Sequence, residues 1–91
     1  MLTLEFQSQF KKDVRTLIKR KWDMTLLQEV TDMLQNGNEL PVRCKDHPLS
    51  GDWQGYRDCH IREDWVLIYR IFEDRKVLRL VRTGSHGDLG L

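Results

Sequence analysis

Three strand-like runs lie almost end to end in the second half of the chain: Tyr56 to Ile61, Trp65 to Ile71 and Val77 to Thr83. Only the polar links Arg62-Glu63-Asp64 and Glu73-Asp74-Arg75-Lys76 separate them. A parallel neighbour needs a crossover of about a dozen residues or more, so links this short permit antiparallel pairing alone. The first half must then supply the layer that covers such a sheet. Leu2, Leu4 and Phe6 alternate with Met1, Thr3 and Glu5, the period of a short half-buried strand. Ser8 is placed to cap a helix in which Phe10, Val14, Leu17 and Ile18 form the apolar stripe. After Trp22, either Asp23 or Thr25 caps a second helix; Thr25 and Gln28 have capping-box spacing, and Leu26, Leu27, Val30, Met33 and Leu34 make its stripe. Asn36-Gly37 ends it. The segment from Asn38 to Gly55 holds both prolines and no sustained period, so it is expected to be loop.

The order β-α-α-β-β-β predicts an α+β fold, a twisted antiparallel sheet with a helical hairpin packed on one face. With 91 residues there is room for one domain, residues 1–91. A domain of this size encloses little volume, so an active site is expected to be a shallow cleft. The hydrophobic fraction of 40% with a net charge of +1 excludes the disordered class. The longest apolar stretch, Trp65 to Tyr69, falls far short of the roughly 20 residues of a membrane span, and no basic-then-apolar leader opens the chain. A cytoplasmic protein without a membrane partner is expected. Cys44 and Cys59 are expected to be reduced, because small secreted scaffolds usually carry several disulfides. The near-neutral total hides a local excess: Lys11, Lys12, Arg15, Lys19, Arg20 and Lys21 share their stretch with Asp13 as its one acid. That is the footprint of a protein that meets phosphates, or else a solvated helix face.

The histidines His47, His60 and His86 all lie in the second half. Strand alternation places Tyr56, Asp58 and His60 on one face and Arg57, Cys59 and Ile61 on the other. If Cys59 and Ile61 meet the helices, Asp58 and His60 face outward, where a substrate can reach them. Zinc is not expected: Cys59 and His60 point to opposite faces, and Cys44-x-x-His47 completes no usual tetrahedral pattern. Thr83-Gly84-Ser85-His86-Gly87 follows a strand and is expected to open no helix, so no phosphate loop and no nucleotide cofactor are expected. What remains is imidazole, carboxylate and arginine, an inventory suited to attack of an RNA 2′-hydroxyl on its own 3′-phosphate. That reaction needs a base, an acid and a cation beside the phosphoryl oxygens. Histidine serves as either proton partner near neutral pH, and the fork of Arg82 suits phosphate.

The linked motifs Lys45-Asp46-His47-Pro48-Leu49, Gly51-Asp52-Trp53, Gly55-Tyr56-Arg57-Asp58-Cys59-His60, Asp64-Trp65 and Arg82-Thr83-Gly84-Ser85-His86 resemble the YafQ branch of the RelE/ParE toxin superfamily. The resemblance spans nearly the whole chain and implies the RelE-like microbial ribonuclease fold. It further implies a toxin of a type II toxin–antitoxin pair that cuts messenger RNA in the ribosomal A site without metal or cofactor. The partners implied are a DinJ- or RelB-like antitoxin, the ribosome with its 16S RNA, and the message, with operator DNA bound through the antitoxin. Residue by residue, His86 matches the general acid and Arg82 the arginine beside the scissile phosphate. His47, His60 and Asp64 match the other polar residues of the site. Either Asp64 or His47 accepts the 2′ proton, and His60 orients or tunes charge. Asp58 is a supporting carboxylate, Trp65 lies against a base or fills the core, and Lys11, Lys12, Arg15 and Lys19 contact RNA. The competing expectations are a ParE-like toxin that is not a nuclease, and a basic module that binds nucleic acid or a partner. One departure stands out: relatives carry an aromatic residue shortly after the last histidine, whereas this chain ends Gly87-Asp88-Leu89-Gly90-Leu91. That tail is expected to have little holding it before RNA arrives, with Phe at position 90 or 91 restoring a stack.

Overall fold

The computed structural model describes all residues, 1–91. A strand β1 (Thr3–Phe6) leads into helices α1 (Ser8–Lys19) and α2 (Met24–Gln35). The chain then returns through β2 (His47–Pro48), β3 (Arg57–Arg62), β4 (Trp65–Phe72) and β5 (Val77–Gly84), and ends in a short helix α3 (His86–Leu89). The five strands form one sheet in the order β1-β5-β4-β3-β2.

The last three long strands pair antiparallel, as their short links require. The sheet is nevertheless mixed, because β1 pairs parallel with β5 in the register Thr3↔Val77 to Phe6↔Leu80. The helical hairpin carries the chain across the sheet, so nothing local sets the direction of β1. The expected loop likewise contains a short strand, β2, which pairs His47 with Asp58.

The helix ends differ in detail from the sequence expectation. Gln7, not Ser8, is the N-cap of α1, and it makes no side-chain cap. Asp23 caps α2 by accepting from the Thr25 N–H, while Gln28 turns away to donate to Asp32. Lys21 (φ 62°) and Gly37 (φ 75°) take left-handed conformations just past the two helices. There Trp22 N–H reaches Leu17 O and Asn38 N–H reaches Met33 O, the paired bonds of a Schellman stop.

Phe10, Leu17, Leu27, Val30 and Leu34 from the helices pack against Cys59, Trp65, Leu67, Tyr69, Leu78 and Leu80 of the sheet. Ile18, expected in the stripe, is exposed. Asp13 takes the inward position between Phe10 and Leu17 instead. The second face of the sheet is not bare: Val66, Ile68 and Leu89 form a smaller cluster, covered by Leu49, Trp53, Tyr56 and Val81. The tail is therefore held, against expectation. Ser85 and Asp88 form a reciprocal capping box, Leu89 is buried, and Arg20 grips Asp88 at 2.7 and 3.2 Å. Gly90 ends α3 at φ +71°, a conformation that strains any side chain, so of the two tail positions only Leu91 is compatible with phenylalanine.

Candidate active site

The sheet register lays the expected residues out in two adjacent rows. One row runs His47, Asp58, Ile68, Arg82 across β2, β3, β4 and β5; the next runs His60, Val66, Gly84. Neighbouring strands sit about 4.8 Å apart, so residues on four different strands meet within one small patch. Cys59 and Ile61 pack with the helical core, which leaves Asp58 and His60 on the opposite face as alternation predicts. After His60 a bulge shifts the register, and Arg62 rather than Ile61 opposes Trp65. The bulge and the tight turn behind it bring Asp64 up beside the end of β5.

There Asp64 meets His86. Its Oδ1 accepts from the His86 backbone N–H at 3.0 Å and lies 2.7 Å from the ring Nδ1. These two bonds hold the Asp64 carboxyl below the usual carboxylate range. The ring of His60 approaches that of His86 edge-on, with centroids 5.2 Å apart. His47 directs Nδ1 at the Lys45 carbonyl, 2.7 Å away, and the same nitrogen lies 3.2 Å from Asp58 Oδ1. With Nδ1–H engaged by a carbonyl, its Nε2 carries the free lone pair. Asp58 itself is 4% exposed, and because the nearby His47 Nδ1 is aimed at the Lys45 carbonyl, Asp58 Oδ1 accepts no hydrogen bond. Burial pushes the Asp58 carboxyl up, against the pull of His47, His60 and His86. The site thus has a buried carboxylate near three imidazoles and an exposed one pinning the imidazole of His86.

Arg82 is placed differently from the free clamp expected. Its Nε donates to Asp13 Oδ2 at 2.7 Å and its Nη2 to Oδ1 at 3.2 Å. The pairing arises at an edge: β1 flanks β5 only as far as Leu80, and α1 lies along the strand beyond it. Asp13 Oδ2 also accepts from the Thr83 N–H at 3.1 Å, replacing the missing strand partner. The Asp13 contact thus leaves Nη1 as the end of Arg82 that can turn to a phosphate. Trp65, expected against a base or in the core, is in the core. It is 2% exposed, packs edge-on to Trp22 at 5.1 Å, and donates its indole N–H to Thr83 Oγ1 at 2.8 Å. It has no open face on which a base can stack. Lys11, Lys12, Arg15 and Lys19 are all exposed on α1.

Asp13 and Asp88 are the two residues that sequence reasoning missed. For Asp13 a signal existed, an acid at helical spacing between Phe10 and Leu17 on an otherwise basic helix. For Asp88 it was the Ser85-x-x-Asp88 spacing of a capping box. No three histidine, cysteine or carboxylate side chains converge as a metal cage. A cleft of about 700 Å³ opens beside Asp64, between Lys21-Trp22-Asp23 and Arg62-Glu63. A larger concavity of about 820 Å³, near Leu34, Leu40 and Tyr69, contains none of the histidines.

A family model described as the bacterial toxin of type II toxin–antitoxin systems, YafQ, matches residues 2–90. The chain belongs to the YafQ toxin family. The mRNA interferase toxin YafQ of Escherichia coli K12 is 45% identical over 94% of this chain and 92% of its own length. YafQ in the crystal structure of the E. coli DinJ–YafQ toxin–antitoxin complex superposes with a TM-score of 0.87 at 44% identity, over 97% of this chain and 96% of that one. A metal-bound toxin from Helicobacter pylori superposes with a TM-score of 0.92 at 40% identity, over 98% and 99% of the two chains. The α+β architecture, mixed sheet included, is that of the YafQ family.

Proposed function

We propose that this chain is the mRNA-cutting toxin of a type II toxin–antitoxin pair, acting on the ribosome through metal-independent acid–base attack of the 2′-hydroxyl. The observation that carries the proposal is the grip of Asp64 on His86. Two bonds to one carboxylate oxygen fix the ring and hold a proton on Nδ1; in the imidazolium form Nε2 carries the second proton, turned out to be given to the leaving 5′ oxygen. Asp64 is a poor base in this position, because its proton affinity is lowered and its Oδ1 is occupied. His47, with a free Nε2, takes the 2′ proton. His60 stands against His86, and buried Asp58 supports positive charge on the imidazoles above it. Arg82 presents Nη1 to the phosphoryl oxygens, held by Asp13.

The exposed lysines Lys11, Lys12 and Lys19 with Arg15 face ribosomal RNA. A DinJ-like antitoxin, of the kind that E. coli YafQ binds in its toxin–antitoxin complex, neutralises the toxin. In this reading it also carries the pair to operator DNA. The setting is the cytoplasm, where ribosomes are.

The test uses ribosomes programmed with a defined message, with and without a chelator. Cutting should persist in the chelator and leave a 2′,3′-cyclic phosphate and a 5′-hydroxyl. A deoxyribose at the cut should abolish it, and His86→Ala should slow it by about 10²- to 10⁴-fold. Cutting at the deoxy position, or cutting that requires added metal, would sink the mechanism.

A further inference from the structure

On the catalytic face of the sheet, but toward the β4–β5 turn, three arginines surround one phenylalanine. The guanidinium carbons of Arg70, Arg75 and Arg79 lie 4.7, 4.3 and 4.6 Å from the Phe72 ring centroid. Arg70 also covers Tyr56, at 5.3 Å. Gly55 makes room for this: a Cβ there would come within 3.3 Å of Arg70 Nη1.

Such crowding is unfavourable without an anion. Arg70 and Arg79 are direct register partners, and like charges placed opposite each other repel. Arg79 has a carboxylate, Glu5, its own register partner on β1. Arg70 and Arg75 are in no ion pair, and neither are the turn acids Glu73 and Asp74. Ring stacking holds the guanidiniums in place while leaving the N–H edges of Arg70 and Arg75 free for oxyanions. On β4, Val66, Ile68, Arg70 and Phe72 alternate onto the face that carries His60 and Asp58. Val66 is the register partner of His60 and Ile68 that of Asp58 and Arg82, so Arg70 stands about 13 Å along the strand from the His60 row and about 7 Å from the His47–Arg82 row.

We propose that Arg70, Arg75, Phe72 and Tyr56 form a second RNA-binding site, which takes backbone phosphates of RNA on the face that carries the histidines. It rests on the RNA-cutting function above, and it adds a contact beyond the residues of the chemistry, further along the same face. Guanidiniums held on aromatic rings suit a phosphodiester strand, whose charged oxygens meet their N–H edges.

The test measures binding, not cutting, so it stands apart from the catalytic proposal. The probes are a single-stranded oligoribonucleotide carrying deoxyribose at the cut, and vacant ribosomes. Arg70→Gln with Arg75→Gln should weaken binding to at least one probe by tenfold or more near 50 mM salt. For the oligoribonucleotide, the dependence of log K on log salt should become shallower by about 1.4, the value for two single-strand phosphates. Loss with the oligonucleotide assigns the site to the message; loss with ribosomes alone assigns it to ribosomal RNA. Arg75→Gln by itself, in an exposed turn where folding is not at stake, should give about half the change in slope. Parental affinity and salt slope on both probes would overturn the proposal. So would intact RNA binding with lost antitoxin binding, which would make the patch a protein-docking surface.

Discussion

Asp58 and Asp13 are both buried carboxylates, and their partners give them opposite roles. Asp13 accepts from two guanidinium nitrogens and a backbone amide, all at an edge where β5 has lost its neighbour. Asp13→Ala leaves Arg82 and the Thr83 N–H without partners, and should cost about 2 to 4 kcal/mol. Urea unfolding should show that loss, with cutting reduced as Arg82 loses its anchor. Asp58 has an unpartnered oxygen beneath the histidines, and burial raises its folded pKa above the unfolded value. The folded state then holds the proton more tightly, so this group's contribution to stability falls as pH rises from the unfolded pKa through the folded one. At neutral pH the ionised carboxylate is a cost. Asp58→Asn should therefore stabilise the protein by on the order of 1 kcal/mol, about 4 to 8 °C in melting temperature for a domain this small. It should also slow cutting and move the alkaline limb of the pH–rate profile downward, because the imidazoles lose their supporting charge. A variant that melts lower and cuts normally would contradict this assignment.

Among the elements, α3 is the one whose sequence promised least. Four residues with a glycine among them have weak helical preference, yet four contacts fix them: the Ser85–Asp88 box, the Arg20 pair, the burial of Leu89 and the Asp64–His86 bonds. Burying one leucine is worth roughly 1.5 to 3 kcal/mol, enough to hold a single turn against the sheet. Arg20 and the Ser85 amide hold the Asp88 carboxyl below its ordinary range. Its contribution is complete above about pH 4, near the unfolded value, and is lost as pH falls through the depressed one. The pair is exposed enough for salt to screen it, so Asp88→Asn should cost about 1 kcal/mol of stability at pH 7 and less below pH 4. Cutting should fall further than stability does, because α3 begins at His86. Amide hydrogen exchange at residues 86–91 should quicken in that variant while β4 stays protected; uniform exchange across the chain would contradict the local account.

Across the whole molecule, charge is divided between two surfaces. The exposed basic residues of α1 stand at one side, and the arginine–aromatic patch lies at the far end of the catalytic face. Reversing Lys11, Lys12, Arg15 and Lys19 to glutamate should loosen co-sedimentation with ribosomes steeply at low salt and little at high salt. The chemical step, measured at saturation, should be unaffected. Unchanged co-sedimentation at every ionic strength would assign that face to the antitoxin, and titration with the antitoxin would then show the loss instead.

Local physics determined a large part of this protein. Link lengths forced β3, β4 and β5 antiparallel, period-two alternation put Asp58 and His60 on the face away from the helices, and helical spacing located α1 and α2. The motif spacing brought the family, and with it His47, His60, Asp64 and His86, which the register and the end of β5 set near one another. Tertiary structure alone decided the rest, because each remaining feature joins residues far apart in the chain. The parallel direction of β1 depends on where the helical hairpin delivers the chain. The capture of Arg82 by Asp13 depends on β1 ending early enough for α1 to reach the strand edge. Trp65 is core because Trp22 and Thr83 close around it, and tryptophan in a strand has the same local pattern whether it packs inward or stacks on a base. The tail is ordered by Arg20 and the apolar cover of β4, contacts that its own residues do not encode.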